Sequence, residues 1–178
     1  INDLSRVFGS QCVVLSIQIR RNKLGGWDVM YESGRERSSK DLKKWICECQ
    51  NRGVGEIFIT SVDKDGTGLG PDFELLDYVK DFVQVPLVFG GGIAQKSDVI
   101  NLRNTYDKLS GISIGWALHY EKLIVSDIKN SFGKNFKVIS KCLQDNHNES
   151  NSKPLRVAVI NYAMGNVQSL VNGLLKIG

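Results

Sequence analysis

The stretch that most constrains this chain is Glu56–Asp72, which reads EIFITSVDKDGTGLGPD. It opens on Ile57, Phe58 and Ile59, an uncharged apolar run too short for a helix and suited to a buried strand. The run breaks at Thr60-Ser61 into a polar loop, Asp63–Gly70, carrying Asp63, Asp65, Gly66, Gly68 and Gly70. Beyond Pro71-Asp72, the residues Leu75, Leu76, Val79, Phe82 and Val83 recur at the spacing of one helix face. A buried strand whose carboxyl end carries hydroxyls, carboxylates and glycines is how α/β proteins build a site. The same residue types also make ordinary connecting turns, so the rest of the chain has to decide between the two.

The pattern around this stretch is strand then helix, repeated. Cys12–Ile19 is β-branched and apolar, with Gln18 as the polar exception near its carboxyl end. Arg20–Arg37 is a long excursion in which Trp27–Tyr31 reads as a small hairpin. Asp41–Arg52 is helical, with Leu42, Trp45, Ile46 and Cys49 on one face. Val85–Phe89 is a third strand running into Gly90-Gly91-Gly92, and Lys96–Arg103 a helix carried by Val99, Ile100 and Leu102. Gly111–Gly115 is the fourth strand, and Leu123, Ile124 and Ile128 belong to a last helix. Strands alternating with helices imply right-handed βαβ units and a parallel sheet. Four such units are half of what an eight-stranded barrel needs. The chain starts at Ile1 in what reads as a helix tail, Leu4, Val7 and Phe8 closed by Gly9. A fragment is therefore expected, and half of a barrel fits better than a small open sheet.

Composition narrows the function classes. With 42% hydrophobic and 24% charged residues, the 178-residue chain has an ordinary globular make-up. Its net charge of +4 is scattered, which does not imply nucleic acid but suits anionic small molecules. The absence of a membrane-length apolar run and of a signal peptide leads to an expected cytoplasmic location without a membrane partner. Cys12, Cys47, Cys49 and Cys142 lack zinc-ligand spacing, so reduced thiols are expected, with no metal and no cofactor. His119 reads as structural, and His147 lies in a polar linker without an assigned role.

In a parallel array the strands' carboxyl ends share one face, so Gln18, Thr60-Ser61, Gly90–Gly92 and Gly115-Trp116 should converge. Glycine turns let backbone N–H groups approach a phosphate, and the last two strands are its usual seat in eight-stranded barrels. A tight strand-to-helix turn explains the glycines as well. Asp65 is a candidate acid or base, and Asp63 reads equally as a solvated turn carboxylate.

The runs Phe8–Val14, Gly53–Ile57, Thr60–Thr67 and Pro86 with Gly90–Gly92 together resemble the cyclase subunit of imidazole glycerol phosphate synthase. The Asp-x-Asp-Gly-Thr block, Asp63–Thr67, is the most specific part. The resemblance implies a (β/α)8 barrel of which residues 1–141 are the C-terminal half. It implies a glutaminase partner whose ammonia crosses the barrel, and a phosphorylated ribulosyl aminoimidazole substrate on which an imidazole ring is closed. It further implies catalytic positions at Gln18 and Asp65, with Thr60 bordering the reacting centre. Ser61, Gly66, Gly91, Gly92, Gly115 and Trp116 would surround substrate and phosphate, and Glu56 would belong to the ammonia gate.

The tail is similar to that partner. Arg156–Asn166 resembles the opening strand and loop of a class I glutamine amidotransferase, so 155–178 is expected to be its first strand and helix. Residues 142–154 are expected to be the linker, because Gln144–Pro154 is free of apolar residues. Three departures from the family pattern stand out. Gln18 replaces an aspartate, Trp116 a small hydroxyl residue, and Gly68-Leu69 a polar pair. An amide cannot exchange a proton near neutral pH, so impaired ring closure is expected, and Trp116 is expected to crowd the phosphate pocket. A paralogue that supplies ammonia to a sugar amidotransferase in surface-polysaccharide synthesis is the alternative, and the Leu24–Trp27 insert fits it. The fragment alone is expected to be inactive.

Overall fold

The computed structural model describes residues 1–106, 109–126 and 128. The expected linker at 142–154 and glutaminase-like segment at 155–178, with Cys142 and His147, lie outside the described residues. Helix α1 (Asn2–Phe8) ends at Gly9, as its sequence implies, and a 3₁₀ turn over Ser10–Cys12 follows. Four strands run parallel in chain order: β1 (Val14–Arg21), β4 (Glu56–Ser61), β5 (Leu87–Gly90) and β6 (Leu109–Ser113). They are followed in turn by α2 (Leu42–Asn51), α3 (Phe73–Val79), α4 (Lys96–Thr105) and the short α5 (Trp116–His119). β2 (Trp27–Tyr31) and β3 (Glu36–Asp41) add antiparallel strands beside β1, giving the sheet order β3-β2-β1-β4-β5-β6. The fold is α/β with a mostly parallel six-stranded sheet.

Side-chain alternation sorts this sheet into two faces. Ile17, Ile19, Ile57, Ile59, Leu87 and Phe89 point to the helices and are buried. Burying each contributes about 1.5–3 kcal/mol. The helices answer in kind: α2 buries Leu42, Ile46 and Cys49, and α3 buries Leu75, Leu76 and Val79. Asp41 caps α2 by accepting from the Lys44 N–H at 2.9 Å, and Asp72 caps α3 by accepting from the Leu75 N–H at 3.2 Å. The other face carries Ser16, Gln18, Phe58, Thr60 and Val88, all more accessible than their helix-facing neighbours.

Several expected boundaries shift. β1 begins at Val14 rather than Cys12, because the Val13 N–H donates to the Ser10 carbonyl and closes the preceding turn. It continues to Arg21 because β2 pairs with it over Gln18–Arg21. Trp27–Tyr31 is one strand of the hairpin, and its partner is Glu36–Asp41, a fully polar segment (ERSSKD) whose edge position gives it no apolar alternation to read. β6 starts and ends two residues earlier than expected. Ser110 is an extra residue in its register with β5, a bulge, and Gly115 serves as the N-cap of α5 instead of ending the strand. Among the described residues no helix is long and apolar enough to cross a membrane.

Candidate functional site

The parallel register aligns Gln18 with Thr60, Thr60 with Gly90, and Gly90 with Ser113. One row thus crosses all four parallel strands near their carboxyl ends, on the face away from the helices. A cavity of about 160 Å³ opens over this row. Phe58, Thr60, Gly90 and Ser113 form its strand side. Asp65, Gly91, Gly92 and Gly115 reach it from the loops that follow the strands, and Trp116 from the first turn of α5. Gln18 is not in its wall. It stands one strand over, half-buried, with Thr60 on one side and the buried Met30 of β2 on the other.

Close backbone approach builds the loop side. Gly91 and Gly92 both have left-handed φ angles, +104° and +83°. A Cβ at Gly91 would lie 2.7 Å from the Ser61 carbonyl oxygen, and one at Gly92 would press on the Gly70 carbonyl and lie 2.8 Å from the Lys64 Cβ. Only glycine lets the two loops stack this way. The stack is tied by the Gly70 N–H donating to the Gly92 carbonyl at 2.8 Å and the Asp65 N–H donating to the Ser61 carbonyl at 2.9 Å.

The two loop carboxylates divide their roles. Asp63 accepts from the Arg21 N–H at 2.7 Å and lies 3.7 Å from the Arg20 guanidinium, so it fastens the loop to the end of β1. Asp65 is exposed at the cavity, and among the described residues its carboxylate has no hydrogen bond or ion pair. A carboxylate, the Thr60 hydroxyl and glycine backbone facing one small space can hold an oxyanion and exchange a proton with a bound group.

Other expected site residues stand elsewhere. Ser61 is fully buried on the helix-facing side, and its hydroxyl donates to the Asp72 carboxylate at 2.9 Å. Strand alternation turns it away from Thr60, so its side chain anchors α3 instead of meeting a ligand in this cavity. Gly66 has nothing within 4 Å of its side-chain direction and does not line the cavity. Glu56 sits at the amino end of β4, opposite Val14, about 13 Å along the strand from Thr60. Trp116 lines the cavity, and its indole lies against Gly68. His119 is exposed, and its ring meets the Tyr120 ring edge-on.

Phe58, Ser113 and Met30 were missed from sequence. Phe58 was recoverable, since it lies two residues before Thr60 on one strand and shares its face. Ser113 and Met30 were not, because they depend on the bulged β5–β6 register and on the β1–β2 pairing. A larger cavity of about 470 Å³ lies at the opposite end of the sheet, around Pro86, Tyr106 and Leu109, and holds none of the expected residues. Among the described residues no group of His, Cys, Asp and Glu could hold a metal ion.

With this geometry in place, comparisons with known proteins give a consistent result. Residues 1–124 match the family model described as "Histidine biosynthesis protein". The chain is 43% identical to imidazole glycerol phosphate synthase subunit HisF of Legionella pneumophila over 95 residues, 53% of this chain and 45% of the relative. The subunit of the same name from Nostoc sp. is 38% identical over 133 residues, 73% of this chain and 51% of that protein. The Lactococcus lactis subsp. cremoris subunit is 35% identical over 136 residues, 76% and 52% of the two chains. The chain spans about half the length of the curated relatives it matches.

Proposed function

The chain belongs to the histidine biosynthesis protein family, and from that membership we propose that it is the C-terminal half of an imidazole glycerol phosphate synthase cyclase barrel. The complete protein would be a lyase that uses glutamine-derived ammonia. The observation that carries this reading is that Asp65, Thr60, Gly91, Gly92 and Gly115 share one cavity at the carboxyl ends of adjacent parallel strands.

In this proposal the backbone of Gly91, Gly92 and Gly115 holds a phosphate of a ribulosyl aminoimidazole-type substrate, and Asp65 moves protons at the reacting carbon. Thr60 hydrogen-bonds beside it. Gln18 can orient the substrate through its amide but cannot take or give the proton, so ring closure is slowed. Loss of such a group typically lowers rate by about 10²–10⁴-fold. Glu56, at the far end of β4, would border the entry of ammonia delivered by a glutaminase, whose opening residues we assign to 155–178. The protein would work in the cytoplasm, without nucleic acid or membrane. The ammonia-delivery alternative draws on Gln18, and the synthase name carried by the relatives favours the cyclase.

The test supplies ammonia directly to the natural-length protein and follows consumption of the ribulosyl aminoimidazole substrate. Slow turnover that rises in Gln18→Asp supports the cyclase. No turnover by either protein, with both folded, would sink it. Inorganic phosphate titrated against backbone amide shifts tests the anion seat separately, and shifts confined to residues away from Gly91, Gly92 and Gly115 would remove it.

A further inference from the structure

The Trp116 indole serves two elements at once. It lines the cavity, and its six-membered ring rests on Gly68 in the middle of the Asp63–Gly70 loop, where an added Cβ would lie 2.7 Å from two ring carbons. Gly68 also has a left-handed φ of +63°, so both space and backbone reserve the position for glycine. From its other side the indole meets the Tyr120 ring, with centroids 5.2 Å apart. The loop's backbone ties to other segments lie near its two ends, at Asp65 to Ser61 and Gly70 to Gly92, and inside it the Thr67 N–H donates to the Lys64 carbonyl at 3.1 Å. Between them Gly66 faces open space and Leu69 is 75% exposed. Within the loop Thr67 braces its neighbours, its hydroxyl donating to the Lys64 carbonyl at 2.7 Å and accepting from the Leu69 N–H at 3.2 Å, and from outside the loop Trp116 supports Gly68.

We infer that Trp116 is a positioning residue: seated on Gly68, it holds the Asp63–Gly70 loop against the cavity so that Asp65 is in place before a ligand binds. Removing the ring strips the loop of many small dispersion contacts, none of which water replaces with the same geometry. A proton-transfer group is effective only when held in reach of its target, so a loosened loop should cost turnover more than binding. The effect on turnover rests on the cyclase reading, whereas the holding of the loop does not.

The experiment compares Trp116→Ser, Trp116→Phe and Gly68→Ala with the unmodified natural-length protein, each first shown to be folded by circular dichroism. Hydrogen exchange of the Asp65, Thr67 and Gly70 amides is measured without ligand. Expected is faster exchange by about tenfold in Trp116→Ser and Gly68→Ala, with a smaller change in Trp116→Phe, as for local opening of one loop. Combining Trp116→Ser with Gly68→Ala should add little, since both remove one contact. With ammonia and the ribulosyl substrate, kcat should fall about tenfold in Trp116→Ser while KM changes less, and Trp116→Phe should recover part of it. Unchanged exchange in both Trp116→Ser and Gly68→Ala overturns the inference. Faster exchange with unaltered kcat overturns the positioning of Asp65. If the unmodified protein shows no turnover, the cyclase reading fails while the exchange data still decide whether Trp116 holds the loop.

Discussion

Gln18 lies directly beside Thr60 in the β1–β4 register, and the buried Met30 lies beside it in the β1–β2 register. The amide thus belongs to the same row as the cavity's strand side, one position from its wall. A proton-transfer group at this position would stand on the β1 side of the row, while Asp65 faces the cavity from the loop after β4.

Replacing Gln18 with aspartate is expected to raise cyclase turnover at least about tenfold, short of the roughly 10²–10⁴-fold that a well-placed general acid or base contributes. The assay is substrate consumption with ammonia supplied directly. A rate equal to that of the unmodified protein would count against a proton role at this position.

Ser61→Ala should destabilise the fold by about 1–3 kcal/mol, because the buried Asp72 loses one hydrogen bond and keeps its desolvation cost. Urea denaturation would report it as a lowered midpoint with an unchanged slope. Phosphate affinity of the folded protein should stay within about twofold, because the Ser61 side chain faces the helices.

Two glycines of the same loops should respond differently. Gly66→Ala meets open space and bears only the left-handed backbone cost of about 1–2 kcal/mol. Gly92→Ala adds a collision with the Gly70 backbone, which has no flexible side chain to yield. It should cost more than about 3 kcal/mol or prevent folding, together with loss of phosphate binding. Equal stabilities of the two variants would show that the loop stack is not formed.

Tyr106 gives a pH signature. Burial first, then the neighbouring Asp77 carboxylate, push its phenol up to about 12, and the hydroxyl's one proton goes to the Phe73 carbonyl at 3.2 Å. A folded-state value above the unfolded one near 10 stabilises the protonated form. Its contribution is therefore complete below about pH 10 and is lost as pH rises through about 12. Thermal or urea midpoints measured across that window should fall, and Tyr106→Phe should flatten the fall.

Periodicity alone determined much of this protein. The short apolar run Ile57–Ile59 ending at Thr60-Ser61, the face of Leu42, Ile46 and Cys49, and the glycine runs after the strands are local patterns. Backbone geometry converts such patterns directly into strands, helices and turns. They were enough to order four parallel strands and to bring Thr60, Asp65, Gly91, Gly92 and Gly115 to one end. Tertiary structure decided what depends on residues distant in the chain. The polar β3 became a strand only because β2 offered it an edge. Met30 reached Gln18 through that pairing, and Ser113 joined the row only through the bulge at Ser110. Ser61 and Asp63 looked like site residues until their partners, Asp72 and the Arg21 N–H, claimed them. Trp116 found Gly68 across a loop 48 positions earlier, a contact no spacing rule encodes. Hydrogen bonds and van der Waals contact act over a few ångströms in space, and only the folded chain sets which residues come that close.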